Sequence, residues 1–167
     1  MTKEEAIVLI NGGILEVSSH DLDNAQAYKV FKLKKALRDL QSSIDEEEKE
    51  LFKEVGIEDT RAFFTKVEEV RSKKEKNEKD LETIKDANLK IEKFNSLRLN
   101  MLQEEVSLDG VKPIPYDDWR KLQKENKSVE VNGKNVDILS GTNELILADV
   151  FWLEPKEESE SESRDGE

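Results

Sequence analysis

The side chains that most often carry catalysis are scarce in this sequence. Cysteine is absent and histidine occurs once, at His20, so disulfides, zinc–thiolate sites and thiol nucleophiles are excluded. A catalytic or ligand-binding His20 would need oriented partners that no neighbouring motif supplies. We therefore interpret His20 as a loop or helix-start residue before the first long helix. The sequence has no Gly-rich phosphate loop, nucleophile elbow or paired-histidine metal helix. We therefore expect a protein that is not an enzyme, with no catalytic residue, cofactor or metal ion.

Charged side chains are abundant, but their spacing does not match that of a known metal-binding or phosphate-binding motif. The acidic run at residues 45–48 lacks the glycine turn and alternating oxygen ligands of a calcium loop, which favours an exposed helix face. A basic cluster could contact a phosphate group or an acidic partner, although such a run is more often a solvated face; it comprises Lys32, Lys34, Lys35 and Arg38. This cluster leaves open a small-ligand or nucleotide site built by an oligomer.

The charge balance limits the possible partners. The chain has 167 residues and a net charge of −12, and residues 154–167 hold seven acidic and two basic side chains. The remaining residues mix both signs, so direct nucleic-acid binding is disfavoured because phosphate contacts need a basic face. No apolar run approaches the roughly 20 residues of a membrane span, and the N-terminus lacks a secretory pattern. We expect a cytoplasmic protein, in the host cytoplasm or virion if a phage encodes it.

The elements that would position these side chains are mostly helical. A first long helix begins near Asp21 or Asp23, either of which can cap it. Its apolar positions follow the a/d spacing of a heptad seam that only Glu47 interrupts; they are Val30, Leu33, Leu37, Leu40, Ile44 and Leu51. Gly56 ends this helix, with Ile57 as the apolar residue that closes a Schellman motif.

A second helix follows, capped by Asp59 or Thr60. The short connection predicts that the two helices are antiparallel neighbours. Val67, Val70, Leu81, Ile84 and Ile91 keep the heptad phase, but Lys74 and Asn77 put polar side chains into core positions. Because residues 71–80 are nearly all charged, we expect a weak seam, a bend or a break there.

The C-terminal third has the pattern of a small α+β subdomain. Pro113, Ile114 and Pro115 must be extended, and a short helix is expected at residues 117–126. Asn132 and Gly133 suit a type I′ turn between alternating strands, and a last apolar helix is expected to run through residue 152. Residues 14–17 and 105–108 could be further short strands.

These elements define the predicted fold. It is mainly α, a long antiparallel, coiled-coil-like helical hairpin with a small C-terminal α+β subdomain that contains a β-hairpin. The segments are residues 1–22, a short helix and lead-in; residues 23–105, the hairpin with its turn near 56–59; residues 106–153, the subdomain; and residues 154–167, a disordered acidic tail.

The candidate partner-binding residues are apolar side chains. Leu89 and Leu99 lie out of phase with the seam, so they form a second apolar stripe that can contact another neighbour. Both tryptophans fall in the C-terminal third, where core packing is the simpler interpretation and an interface anchor the alternative, since Trp is enriched at hot spots. The candidates are therefore Trp119, Phe151, Trp152, Leu89 and Leu99.

The order of several motifs resembles small uncharacterised proteins of tailed bacteriophages. The likeness runs over about residues 20–153 and is carried by AYKVFKLKKAL at residues 27–37, LFKEVG at 51–56, and EEVSL at 104–108 before Pro113–Ile114–Pro115. The charged block at residues 71–80 and the acidic tail depart from that pattern. The resemblance implies a helical hairpin, a short strand and a terminal helix in a phage context. It assigns no functional residues.

Three functions remain open on the sequence. The first is a non-catalytic protein–protein interaction protein, structural, assembly or accessory in a phage, because the exposed stripes need a partner or a second copy. The second is a phage-encoded inhibitor that binds a host defence or nucleic-acid enzyme, since acidic surfaces can occupy nucleic-acid grooves. The third is the nucleotide site at the basic cluster.

Overall fold

The computed structural model describes residues 1–131, 133–148 and 150–153. Within them the chain is mainly helical, as predicted, with a small two-stranded antiparallel sheet. The chain divides into two compact units. Unit 1 comprises Met1–Val8 and Ala36–Leu108, and unit 2 comprises Leu9–Lys35 and Asp109–Glu167. Each unit is described by itself.

Helices account for most of the described chain. The α-helices are α1 Lys3–Asn11, α2 Asn24–Glu54, α3 Thr60–Ser72, α4 Glu78–Leu102, α5 Tyr116–Glu125 and α6 Gly141–Ala148. The strands are β1 Ile114–Pro115, β2 Val129–Val131, β3 Lys134–Val136 and β4 Trp152–Leu153. None of the helices in these described ranges is both long and apolar enough to cross a membrane.

The end of α2 has the predicted Schellman motif. Gly56 takes a left-handed conformation with φ of 79°. Its N–H donates to the carbonyl of Lys53 at 2.9 Å, and the N–H of Ile57 donates to the carbonyl of Phe52 at 2.8 Å. Asp59 then caps α3 by accepting from the N–H of Ala62 at 2.9 Å. Ile57 is buried with Val55, so the motif also closes an apolar contact.

The second predicted helix is two helices. Residues 73–77 separate α3 from α4, and the polar residues there are exposed because they form a connection and no core. Asn77 caps α4 in a capping box with Asp80, and the Nζ of Lys73 donates to the Asp80 carboxylate at 2.6 Å. That hydrogen bond is the largest cause of a lowered pKa for Asp80.

The antiparallel neighbour of both α2 and α3 within unit 1 is α4. Against α2, the rings of Phe94 and Phe52 stack at 3.9 Å, and four residues later Arg98 donates to Glu48 at 2.6 Å. Against α3, Arg71 donates to Asn88 at 2.7 Å, about two helical turns along α4 from the Lys73–Asp80 pair. These antiparallel pairs lie on either side of the connection at residues 73–77, whereas the sequence placed the hairpin turn near residues 56–59.

A buried lysine explains the polar interruption of the α2 seam. Lys3 is almost completely buried, and its Nζ contacts the carboxylates of Glu47 at 2.5 Å and Glu104 at 2.7 Å. Burial acts to lower the pKa of Lys3, but the hydrogen bonds from Glu104 and Glu47 outweigh it, so the pKa is raised. Thr2 and Glu5 form a capping box by exchanging hydrogen bonds, which sets Lys3 at the first position of α1.

Two elements of unit 2 differ from those expected from the sequence. Residues 14–16, expected as part of a strand, form a 3-10 turn, Ile14–Glu16. The last helix, α6, ends at Ala148 and does not reach residue 152; β4 pairs parallel with β1 instead. The antiparallel β2–β3 pair has the predicted register around Gly133, while Asn132 of its turn lies outside the described residues, as does the acidic tail.

The loop before α2 is held by the end of α5. Asn126 is completely buried; its Oδ1 accepts from the Ser18 N–H at 2.6 Å, and its Nδ2 donates to the carbonyls of Ser18 and Leu122, each at 2.8 Å. Glu125 accepts from the Ser18 hydroxyl and from the N–H groups of His20 and Asp21. Asp23 caps α2 through the N–H groups of residues 25 and 26, so one of the two expected caps is confirmed.

Candidate interaction surfaces

The aromatic candidates in unit 2 are core residues. Trp119 is 0% exposed and Phe151 is 1% exposed, so neither presents a surface that a partner could reach. Trp119 lies on α5 with Leu122, which is also buried. The anchor interpretation is therefore wrong for Trp119 and Phe151, and core packing is correct. The side chain of Trp152 lies outside the described residues.

The leucine candidates on α4 are exposed, as the heptad phase predicts. Leu89 is 58% exposed and Leu99 is 59% exposed. Leu81, which the sequence placed in the seam, is 56% exposed and joins them. At 3.6 residues per turn the three leucines fall within an arc of roughly 80° on one side of the helix. We call this arc the outer face of α4.

The outer face lies opposite the packed face of the same helix. The buried residues of α4 are Asp80, Ala87, Phe94, Met101 and Leu102, and most of them recur every seven residues. Their direction is roughly 160° from the outer leucines by the same helical geometry. The helix thus has apolar side chains on two sides, one of which is used within unit 1.

A groove of about 850 Å³ forms a second surface of unit 1. It lies where α2, the start of α3 and the C-terminal half of α4 meet. Its floor is apolar and includes Leu51, Phe52 and Leu97, which are half-buried, and Met101, which is buried. Apolar side chains that stay partly accessible inside a concavity are what a docking partner buries.

The rim of the groove is predominantly acidic. Among the described residues that line it, five are glutamates and two, Lys49 and Lys53, are lysines. Lys3 neutralises part of this charge through Glu47 and Glu104, and Lys53 contacts Glu50 at 2.6 Å. The Glu50 and Glu104 side chains nevertheless remain 70% and 61% exposed, so their carboxylates can also meet a cationic partner.

His20 and two lysines of the basic cluster contact neighbouring groups of unit 2. The His20 N–H donates to Glu125 at 2.8 Å, so its backbone is part of the loop described above. Lys34 donates to the Val17 carbonyl at 2.9 Å, and Lys32 lies over the Tyr28 ring at 5.4 Å from its centroid. In the part of the chain that the structure describes, no three His, Asp or Glu side chains gather as a metal site would need.

Sequence reasoning found the outer leucines but missed the groove. The groove is formed by residues more than forty positions apart, at Phe52 and Leu97, whose proximity no local pattern reveals. The sequence signal that bears on the groove is Glu47, a charged residue at an apolar position of the α2 seam. Glu47 lines the groove and contacts Lys3.

No protein-family model matches this chain, and no curated protein and no solved structure matches it either.

Proposed function

We propose that this chain is a non-catalytic protein–protein interaction protein that binds a partner or a second copy through the outer face of α4. The observation that carries the proposal is the exposure of Leu81, Leu89 and Leu99 on one side of a helix whose other side is already packed. These leucines are already more than a third covered, so completing the burial of one contributes about 1–1.5 kcal/mol, and three in one arc favour association.

The proposal includes a finer description of the scaffold. We infer that α2 and α3 together form one arm and α4 the other arm of a long, coiled-coil-like hairpin, with its reversal at residues 73–77. The heptad recurrence of buried residues on α4 and the antiparallel pairs with α2 and α3 support this description. Rigid paired helices are a suitable platform for a binding face because packing fixes the side chains they present.

The resemblance to tailed-phage proteins suggests the biological context. In that context the chain is a structural, assembly or accessory protein, acting in the host cytoplasm or the virion. Apolar faces of this kind are typically buried in a homo-oligomer or against another component of an assembly.

The second candidate is a phage-encoded inhibitor of a host defence or nucleic-acid enzyme. The acidic rim of the groove favours it, because carboxylates there could occupy a basic surface of the enzyme. The mixed charges of the rest of the chain weaken it, since a nucleic-acid mimic needs one sign. Tight, salt-sensitive binding to a host nuclease would support this candidate, and binding that is absent or independent of salt would dismiss it.

The outer face is tested by light scattering and by pull-down from the producing cells. We expect an oligomer or a captured partner with the unaltered chain, and loss of that association in the double variant Leu89→Ser/Leu99→Ser. The control is Leu145→Ser on α6, which removes an even more exposed leucine and should leave association unchanged. A strict monomer without a partner, or equal behaviour of the variant and the control, would overturn the proposal.

A further inference from the structure

We propose that the groove between α2, the start of α3 and α4 is a separate docking site for a cationic amphipathic helix of a partner protein. The site shares none of the outer leucines. Its volume of about 850 Å³ is near the upper end of the roughly 300–1,000 Å³ typical of ligand pockets, so a single side chain does not fill it.

The spacing of the floor residues fits a helix. Leu97 and Met101 are four residues apart on α4, so they lie one turn apart, and Leu51 and Phe52 oppose them from α2. A helix that lies in such a groove presents anchors at i, i+3 or i+4, and i+7, with a similar distance between successive anchors. Two or three apolar anchors would cover the half-buried floor.

The walls of the groove favour a helix over an extended peptide. The groove is lined mainly by residues of α2 and α4, and helices satisfy most of their backbone groups internally. An extended segment would find no strand edge there to pair with. A helical partner brings its own backbone hydrogen bonds and needs only side-chain contacts.

The charge decides which helix fits. The glutamates of the rim outnumber its lysines, and even with Lys3 included the rim stays negative. A second copy of this chain, at −12, and its own residues 154–167, with seven acidic and two basic side chains, would be repelled. Lysine or arginine flanking the apolar anchors would instead meet Glu50, Glu58 and Glu104.

The test uses the full chain and two synthetic 18-residue peptides in fluorescence anisotropy. Both carry leucines at helical i, i+3, i+4 and i+7 spacing; one has lysine and the other glutamate at the remaining positions. We expect saturable binding of the Leu/Lys peptide that weakens with salt, and binding of the Leu/Glu peptide at least tenfold weaker. Comparable affinities for the two peptides, or no saturable binding of the Leu/Lys peptide, would overturn the proposal.

Two substitutions on one helix separate the groove from general charge attraction. Leu97→Arg places a cation on the groove floor, whereas Leu99→Arg makes the same change on the outer face. We expect Leu97→Arg to weaken the Leu/Lys peptide at least tenfold and Leu99→Arg less than twofold. Equal effects would show that the peptide binds elsewhere, and the proposal would fail.

A second pair of variants keeps the test valid if Leu97→Arg does not fold. Glu50→Lys/Glu58→Lys reverses two exposed charges at the rim, and Glu82→Lys/Glu92→Lys reverses two exposed charges on α4 that do not line the groove. The first pair should weaken binding at least fivefold more than the second, and equal losses would contradict the proposal. Leu89→Ser/Leu99→Ser should leave peptide binding unchanged while removing association through the outer face, so failure of either surface is seen independently of the other.

Discussion

At the level of single residues, polar side chains that are buried or half-buried make contacts that hydrophobic patterning does not predict. Glu125 illustrates this, because its carboxylate is held by a hydroxyl and two backbone N–H groups of one loop. Partial burial acts to raise the pKa of Glu125, but the hydrogen bonds from Ser18, Asp21 and His20 outweigh it, so the pKa lies below the usual 4.5. The ionised form is therefore favoured by folding.

This lowered pKa predicts how stability depends on pH. A carboxyl whose pKa is lower in the folded state stabilises the fold above its unfolded pKa, and this contribution is lost as pH falls through the folded pKa. Glu125→Gln should therefore lower the free energy of unfolding by about 1–2 kcal/mol at pH 7, and by progressively less as the pH falls below the usual pKa of 4.5. Urea unfolding at several pH values measures the difference.

The control for Glu125 lies on the same helix. Lys124→Gln changes an exposed neighbour and should alter the free energy of unfolding little at either pH. A constant difference between Glu125→Gln and the unaltered chain from pH 7 to pH 3 would contradict the role given to its ionised carboxylate.

At the level of elements, helix ends could be predicted from the sequence, whereas the packing of one helix against another could not. Gly56 and Asp59 were both identified from the sequence because helix caps depend on residues adjacent in the chain. The direction of α3 was not identified from the sequence, since a short connection does not by itself determine which helix becomes its neighbour. That choice depends on Phe63, Val67 and Val70, whose packing is a tertiary property.

The same distinction applies to the candidate site. Heptad phase predicted that Leu89 and Leu99 face away from the seam, because phase is a periodic property of one helix. It could not separate buried from exposed aromatic residues in unit 2, where Trp119 and Phe151 are fully covered. Residue type favours both a core and an interface for tryptophan, and only the tertiary structure decides between them.

The α2 cap gives a prediction at this scale. Gly56→Ala should lower the free energy of unfolding by about 1–2 kcal/mol, because a β-carbon disfavours the left-handed conformation. Contact with surrounding residues is not the cause, since an added β-carbon would be 3.7 Å from the nearest of their atoms, on Lys90. Thermal and urea unfolding measure the loss.

The matched comparison at this position is Gly56→Asn. Asparagine adopts the left-handed conformation more readily than alanine, so its cost should be smaller. If both variants were as stable as the unaltered chain, the Schellman motif would not contribute to holding the end of α2.

At the level of the whole molecule, charge is the dominant property. With a net charge of −12, the chain should not retard duplex DNA in a gel at 150 mM salt. Proteins bind the DNA backbone by placing lysine and arginine against its phosphates, which releases bound counterions, and this requires a basic face. A basic group at the C-terminal end of α5, made of Arg120, Lys124 and the following Lys127, offers only a few such contacts. A strongly basic protein of similar size serves as the positive control, and a saturable shift that salt abolishes would contradict the prediction.

The connection between α3 and α4 has a practical consequence. Residues 74–76 are exposed and lie between two helices that are each capped on their own. Lengthening such a connection costs little, since doubling a loop adds only about 0.6 kcal/mol of closure entropy. A fluorescent reporter or an affinity tag inserted after Glu75 should therefore leave the surrounding helices intact, which gives a handle for observing the protein in living cells with both termini unaltered.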